Sequence, residues 1–240
     1  MRTIDRYSHL QALGRPVLTT AEAAVAWATS LATAARSLSR LADAGLVTKV
    51  RHGIWQVGSG TPEPALLLPV LTSPYPSYIS GWSALWRHGM IEQIPRSIFA
   101  VSLDRARTVN TGFGTYDLHH IHPALFGGFI DASGLRAGVA TAEKALFDTV
   151  YLFAARHGGV TLPELELPDG FDASALHHWI TQIPSARLRT MTAKNLDRMV
   201  GTVAPSNRAS VPATSTSPSG SGSPRRSIAI ASTVPISIPP

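Results

Sequence analysis

Ser30-Leu31-Ala32-Thr33-Ala34-Ala35-Arg36-Ser37-Leu38-Ser39-Arg40-Leu41-Ala42-Asp43-Ala44-Gly45 is the stretch whose reading decides the fold. Ser30 is a helix-capping residue, and Gly45 stands where a helix stop calls for positive φ, so residues 31–44 read as one helix. Leu31, Ala35, Leu38, Leu41 and Ala42 recur at three- and four-residue spacing and are expected to pack inward. Thr33, Arg36, Ser37 and Arg40 recur likewise and are expected to face outward together. That stripe carries no acid; Asp43 lies beyond it, near the helix end.

Just upstream, Thr19 and Glu22 have the spacing of a capping box, which starts another helix over 20–28 that Thr29-Ser30 interrupts. Two helices joined by so short a turn form the helix-turn-helix pattern. Downstream, Val47-Thr48-Lys49-Val50 and Ile54-Trp55-Gln56-Val57 read as two short strands, joined by Arg51-His52-Gly53 with Gly53 supplying the turn. Residues 1–58 therefore read as three helices and a hairpin, a winged helix-turn-helix expected to bind double-stranded DNA. In a major groove Arg36 and Arg40 would pair with guanine edges, each good pair contributing about 1–3 kcal/mol of discrimination. Ser30, Thr33 and Ser37 complete the expected contact set on the helix. Lys49, Arg51 and His52 on the wing would grip phosphate and fix register without reading sequence.

Charge agrees with that division. Residues 1–58 hold seven Lys/Arg against three Asp/Glu, residues 59–202 hold eleven against twelve, and residues 203–240 hold three against none. A basic segment beside a near-neutral one is expected of a polyanion-binding module joined to something with another task. There is no Cys, so disulfides and thiol chemistry are excluded, and a reducing cytoplasm fits. No secretory signal is read at Met1-Arg2-Thr3-Ile4-Asp5, and the longest apolar run, 64–71, falls far short of the roughly 20 residues of a membrane span.

Residues 59–202 mix strand and helix patterns and are expected to form an α+β domain. Strands are expected over 97–103, 116–122 and 138–140, the last running into Thr141 as the cap of a helix over 142–157, with Gly158 as its stop. Ala145, Leu146, Val150 and Phe153 fall on one side of that helix. Gly81 and Gly89 bracket a short helix with Trp82, Leu85 and Trp86 available for a core. Asp172 and Ser185 read as caps of helices over 173–182 and 186–200. From 203 onward the chain is rich in Ser, Pro, Thr and Gly and is expected to be a disordered tail.

These blocks also resemble a family. Residues 35–47 with Gly53-Ile54-Trp55 are similar to the winged helix of the AbiEi-type antitoxins of type IV toxin–antitoxin systems. So are the residues beyond it: 78–89 (Tyr-Ile-Ser-Gly-Trp-Ser-Ala-Leu-Trp-Arg-His-Gly) with Glu92-Gln93-Ile94-Pro95, then 120–129 (His-Ile-His-Pro-Ala-Leu-Phe-Gly-Gly-Phe), then 139–148 (Val-Ala-Thr-Ala-Glu-Lys-Ala-Leu-Phe-Asp). The resemblance covers about residues 10–200. It implies a repressor that binds inverted repeats in its own promoter, with a second domain opposing a nucleotidyltransferase-like toxin, without deciding whether the two form a stable complex. A regulator whose second domain senses a ligand or dimerises is the other reading.

Enzymic chemistry is not expected. His119, His120 and His122 offer at most two ligands on one strand face, with no acidic cluster beside them, so no metal or other cofactor is predicted. Ser83 lacks the second Gly of a nucleophile elbow, and no phosphate loop is present. A nuclease centre needs an acid and an acid-x-Lys pair on a strand, whereas Glu143 and Lys144 are adjacent on an expected helix, where they suit structural roles.

Overall fold

The computed structural model describes residues 3–130, 137–157 and 165–203. The expectations for Gly158 and for the segment after 203 lie outside these residues. The described chain is mixed α+β, as its patterns predict.

The first part runs α1 (Thr3–Ala12), β1 (Val17–Thr19), α2 (Thr20–Ala26), α3 (Leu31–Asp43), β2 (Val47–Arg51) and β3 (Ile54–Val57). The strands make an antiparallel sheet in the order β1-β3-β2. The capping box of α2 is formed: the Thr19 side chain accepts from the Glu22 amide and the Glu22 carboxylate accepts from the Thr19 amide. Each bond satisfies an amide that a helix start otherwise leaves unpaired. Ser30 caps α3 by accepting from the Thr33 amide, and Gly45 follows its end at φ 71°. Strand β1, unforeseen in the sequence, is three residues long and gains its structure by pairing with β3.

Leu10, Leu18, Ala23, Ala24, Trp27, Ala34, Leu38, Leu41, Val47 and Trp55 form a small core among these elements. Val17, Val50 and Ile54, from the same sheet, join the larger core of the following region. The Gly112 amide donates to the Val50 carbonyl at 2.7 Å, on the outer edge of β2.

That region continues with α4 (Pro64–Thr72), β4 (Ser77–Ile79), α5 (Gly81–Arg87), β5 (Ile98–Ser102), β6 (Arg107–Thr111), β7 (Gly114–His120), a 3-10 turn (Pro123–Leu125), β8 (Phe129–Ile130), β9 (Ala137–Ala140), α6 (Ala142–His157), α7 (Ala173–Thr181) and α8 (Ala186–Val203). Its six strands form one mixed sheet, β6-β7-β5-β4-β9-β8, in which β7 runs parallel to β5 and β4 to β9. The apolar run noticed in the sequence is α4, with Leu67, Leu68 and Leu71 buried. Asp172 caps α7 as expected. α6 differs from its expectation: it is buried on nearly every side, with Lys144, Ala145, Leu146, Phe147, Asp148, Thr149 and Val150 all fully enclosed, rather than along one apolar stripe. Strand β7 ends at His120, and His122 instead caps the 3-10 turn, so these two histidines do not share a strand face. Among the described residues no helix is long and apolar enough to cross a membrane.

Candidate nucleic-acid interface

The exposed face of α3 is turned from the one its spacing predicts. Arg36 and Arg40 are exposed, as expected, and Thr33 is half-buried. Ser37 is a correction: it is 4% exposed, it donates to the Thr33 carbonyl at 2.8 Å, and it accepts from the Arg6 guanidinium of α1. Arg6 also lies over the Trp27 ring, 5.5 Å from its centroid, while the Trp27 indole N–H donates to the Arg6 carbonyl at 3.1 Å. α1 thus closes over the side of α3 where Ser37 sits. Leu31 is the opposite correction, 58% exposed instead of inward-facing.

The physical reason is that Ala34, not Leu31 or Ala35, anchors the inner face: Ala34, Leu38 and Leu41 are completely buried. Moving the inner face there turns the helix by less than one residue step of about 100°. The exposed row then runs Ala32, Arg36, Ser39, Asp43, at four- and three-residue spacing, with Arg40 and Leu31 flanking it. Of these, the spacing points to neither Ala32 nor Ser39, and Asp43 is a further correction: expected beyond an acid-free stripe, it is exposed within the row. The signal for this row was present in the Ala34–Leu38–Leu41 spacing, but alanine is a weak marker of burial. Ser30 is exposed at the head of the helix, and its hydroxyl donates to the Thr33 hydroxyl at 2.9 Å.

The hairpin carries its cations outside. Lys49, Arg51 and His52 are exposed, while Val47, Val50, Ile54 and Trp55 turn inward. Arg51 pairs with Ile54, so the strand extends one residue further than expected and a register shift falls between Lys49 and Arg51. Gly53 takes φ 76°, and its carbonyl accepts from the Thr20 amide at 2.8 Å. The Thr20 hydroxyl in turn accepts from the Trp55 indole at 2.9 Å. These bonds tie the hairpin turn to the start of α2, the helix that precedes α3.

The polar groups of the larger region are arranged in the opposite way. Lys144 and Asp148, one helical turn apart on α6, form an ion pair with both side chains completely buried. Asp148 also accepts from the Tyr78 hydroxyl at 3.0 Å and the Ser80 hydroxyl at 2.7 Å. The Lys144 ammonium faces the rings of Trp179, Phe147 and Tyr78 at 4.5, 5.0 and 5.7 Å. Burial pushes the lysine down and the carboxyl up from their usual ranges, and their contact opposes both shifts. Burial first, and Asp148 second, raise Tyr78 as well.

Gly128 completes this enclosure: at φ 69°, a methyl group there would lie 2.7 Å from the Trp179 ring and 2.9 Å from the Lys144 stem. The blocks 78–89, 120–129 and 139–148 therefore meet in space around Asp148. Glu143 accepts from the Asp172 amide at 3.1 Å, at the start of α7. Trp82 and Trp86 are half-buried against the core. His119 stacks on Phe99 at 3.9 Å, and among the described residues no three His, Asp or Glu stand together as a metal site would need. No model of a known protein family matches the chain, and no curated protein matches it.

Proposed function

We propose that residues 1–58 are a winged helix-turn-helix, that α3 enters the major groove of double-stranded DNA, and that the chain is the antitoxin and autorepressor of a type IV toxin–antitoxin pair. The observation that carries the DNA reading is the exposure of Arg36 and Arg40 along one face of α3, together with that of Lys49, Arg51 and His52 on the hairpin. Arginines at that spacing suit base-edge recognition, and cations on a hairpin beside them suit phosphate. The contact set differs from the one spacing alone predicts: Ser37 supports Arg6 from within, and Ala32 and Ser39 stand in the exposed row. The antitoxin part rests on the resemblance of residues 10–200, with the second region opposing a nucleotidyltransferase-like toxin.

Titration of the full chain into a duplex of its own promoter and into a scrambled duplex, at about 0.15 M salt, tests the first part. Preference for the promoter of about 10³-fold or more is expected, with Arg36→Ala plus Arg40→Ala reducing it towards the scrambled value. Equal binding by the variant and the parent would falsify the assignment. Co-expression with the neighbouring gene tests the second part. The double variant should lose repression yet still relieve growth arrest; absence of relief by the parent chain removes the antitoxin role and leaves a regulator.

A further inference from the structure

Lys49 and Arg51, the two exposed cations of strand β2, stand on either side of Val50. Between them the register of β2 on β3 shifts, and Val50 is left without a counterpart across the ladder. Such an irregularity bends a strand and re-aims the side chains beside it. At this step the second region supplies the contacts that the ladder does not. The Val50 carbonyl accepts from the Gly112 amide at 2.7 Å, and the Val50 side chain is buried in the larger core, to which Val109 of β6 also belongs. Gly112 is at the tip of the β6–β7 hairpin, just past the Thr111–Gly114 pair that ends the two strands. A methyl group on Gly112 would lie 3.2 Å from the Lys49 carbonyl oxygen and 3.6 Å from that of Val50. The absence of a side chain is therefore what lets the tip lie so close to the backbone that carries both cations.

We infer that Gly112 is a positioning residue for the wing: through Val50 it fixes where Lys49 and Arg51 stand, so the phosphate grip of the first region is set by the second. The inference rests on the DNA-binding reading above and adds a dependence between the two regions. A phosphate contact by Lys or Arg is a charge-assisted hydrogen bond of about 2.7–2.9 Å, so its strength depends on where the wing stands when α3 is in the groove. Base reading by Arg36 and Arg40 belongs to α3 and does not pass through this contact.

Gly112→Val in the full chain tests this, because its branched side chain meets a backbone carbonyl and forces the tip and the wing apart. Affinity for the promoter duplex is measured across a salt series, in the parent and in Lys49→Ala plus Arg51→Ala. Gly112→Val should lower the slope of log affinity against log salt by about 0.9–1.8, one to two phosphate contacts. Preference for the promoter over the scrambled duplex should stay at the parent value. Added to Lys49→Ala plus Arg51→Ala, it should cause no further loss. Gly112→Ala, which asks the neighbouring carbonyl to give by less, should show the same pattern at smaller size and carries the comparison if the valine variant does not fold. An unchanged slope in a folded variant overturns the inference. So does an equal loss with and without the two cations, which would mark the contact as merely structural, or a loss of promoter preference, which would mean that α3 moves as well. Failure of the parent to prefer its promoter overturns the DNA reading itself and this inference with it.

Discussion

The two regions of the chain handle charge in opposite ways. In residues 3–57 the apolar side chains close a small core and the cations Arg36, Arg40, Lys49 and Arg51 stand in solvent. In the larger region two charged groups are completely enclosed as an ion pair, Lys144–Asp148, sealed among Tyr78, Phe147 and Trp179. An exposed cation adds little to stability and is free to meet a polyanion. An enclosed pair is unavailable to a macromolecular partner, and removing one member leaves an uncompensated charge in a dry interior. Under the proposed function, recognition and architecture fall to different arginines, lysines and acids, and the two sets should respond differently to mutation.

The largest effect expected is at the enclosed pair. Lys144→Met should cost about 3–5 kcal/mol in denaturant-induced unfolding, while Lys144→Met with Asp148→Leu should recover part of that loss. A loss below about 1 kcal/mol for the single variant would erase the contrast. Arg36→Ala is the reverse case: about 1–3 kcal/mol of base discrimination lost, with the melting temperature unchanged. A parallel drop in melting temperature would place Arg36 with the architectural residues.

Ser37→Ala sharpens the boundary between the sets. It removes an acceptor from half-buried Arg6 and should cost about 1–2 kcal/mol of stability, while DNA affinity, read by fluorescence anisotropy, stays at the parent value. Lys49→Ala with Arg51→Ala should lower the slope of log affinity against log salt by about 1.8, one phosphate contact each, without altering sequence preference. The smallest effect belongs to the turn between α2 and α3. Ala28 holds φ 48° there, a conformation glycine adopts more easily. Ala28→Gly should raise stability by about 0.5 kcal/mol in thermal unfolding, the strain relieved exceeding the added entropy of the unfolded chain.

Local signals were the legible part of the sequence. The Thr19–Glu22 box, the Ser30 and Asp172 caps, the Gly45 stop and the Gly53 turn are each set by chemistry within a few residues, and each stands where its spacing puts it. Short strands were not legible, because β1, β4 and β8 have three residues or fewer and owe their form to a partner remote in sequence. Neither was the exact orientation of α3, which depends on α1 lying across Ser37, a contact over thirty-one positions. The aromatic and ionic groups around Asp148 are drawn from α6, α7, β4 and the loop at Gly128, so no single window of sequence contains them.

The Gly112–Val50 bond carries a last consequence. A strand at a sheet's margin presents unused amides and carbonyls that invite a second molecule to zip alongside. On β2 that margin is already occupied at Val50 by the tip of the β6–β7 hairpin, and Lys49 and Arg51 flank the spot with like charges. Crowded copies of the chain therefore meet a closed and mutually repelling border there, which guards against ribbon-like stacking through this sheet.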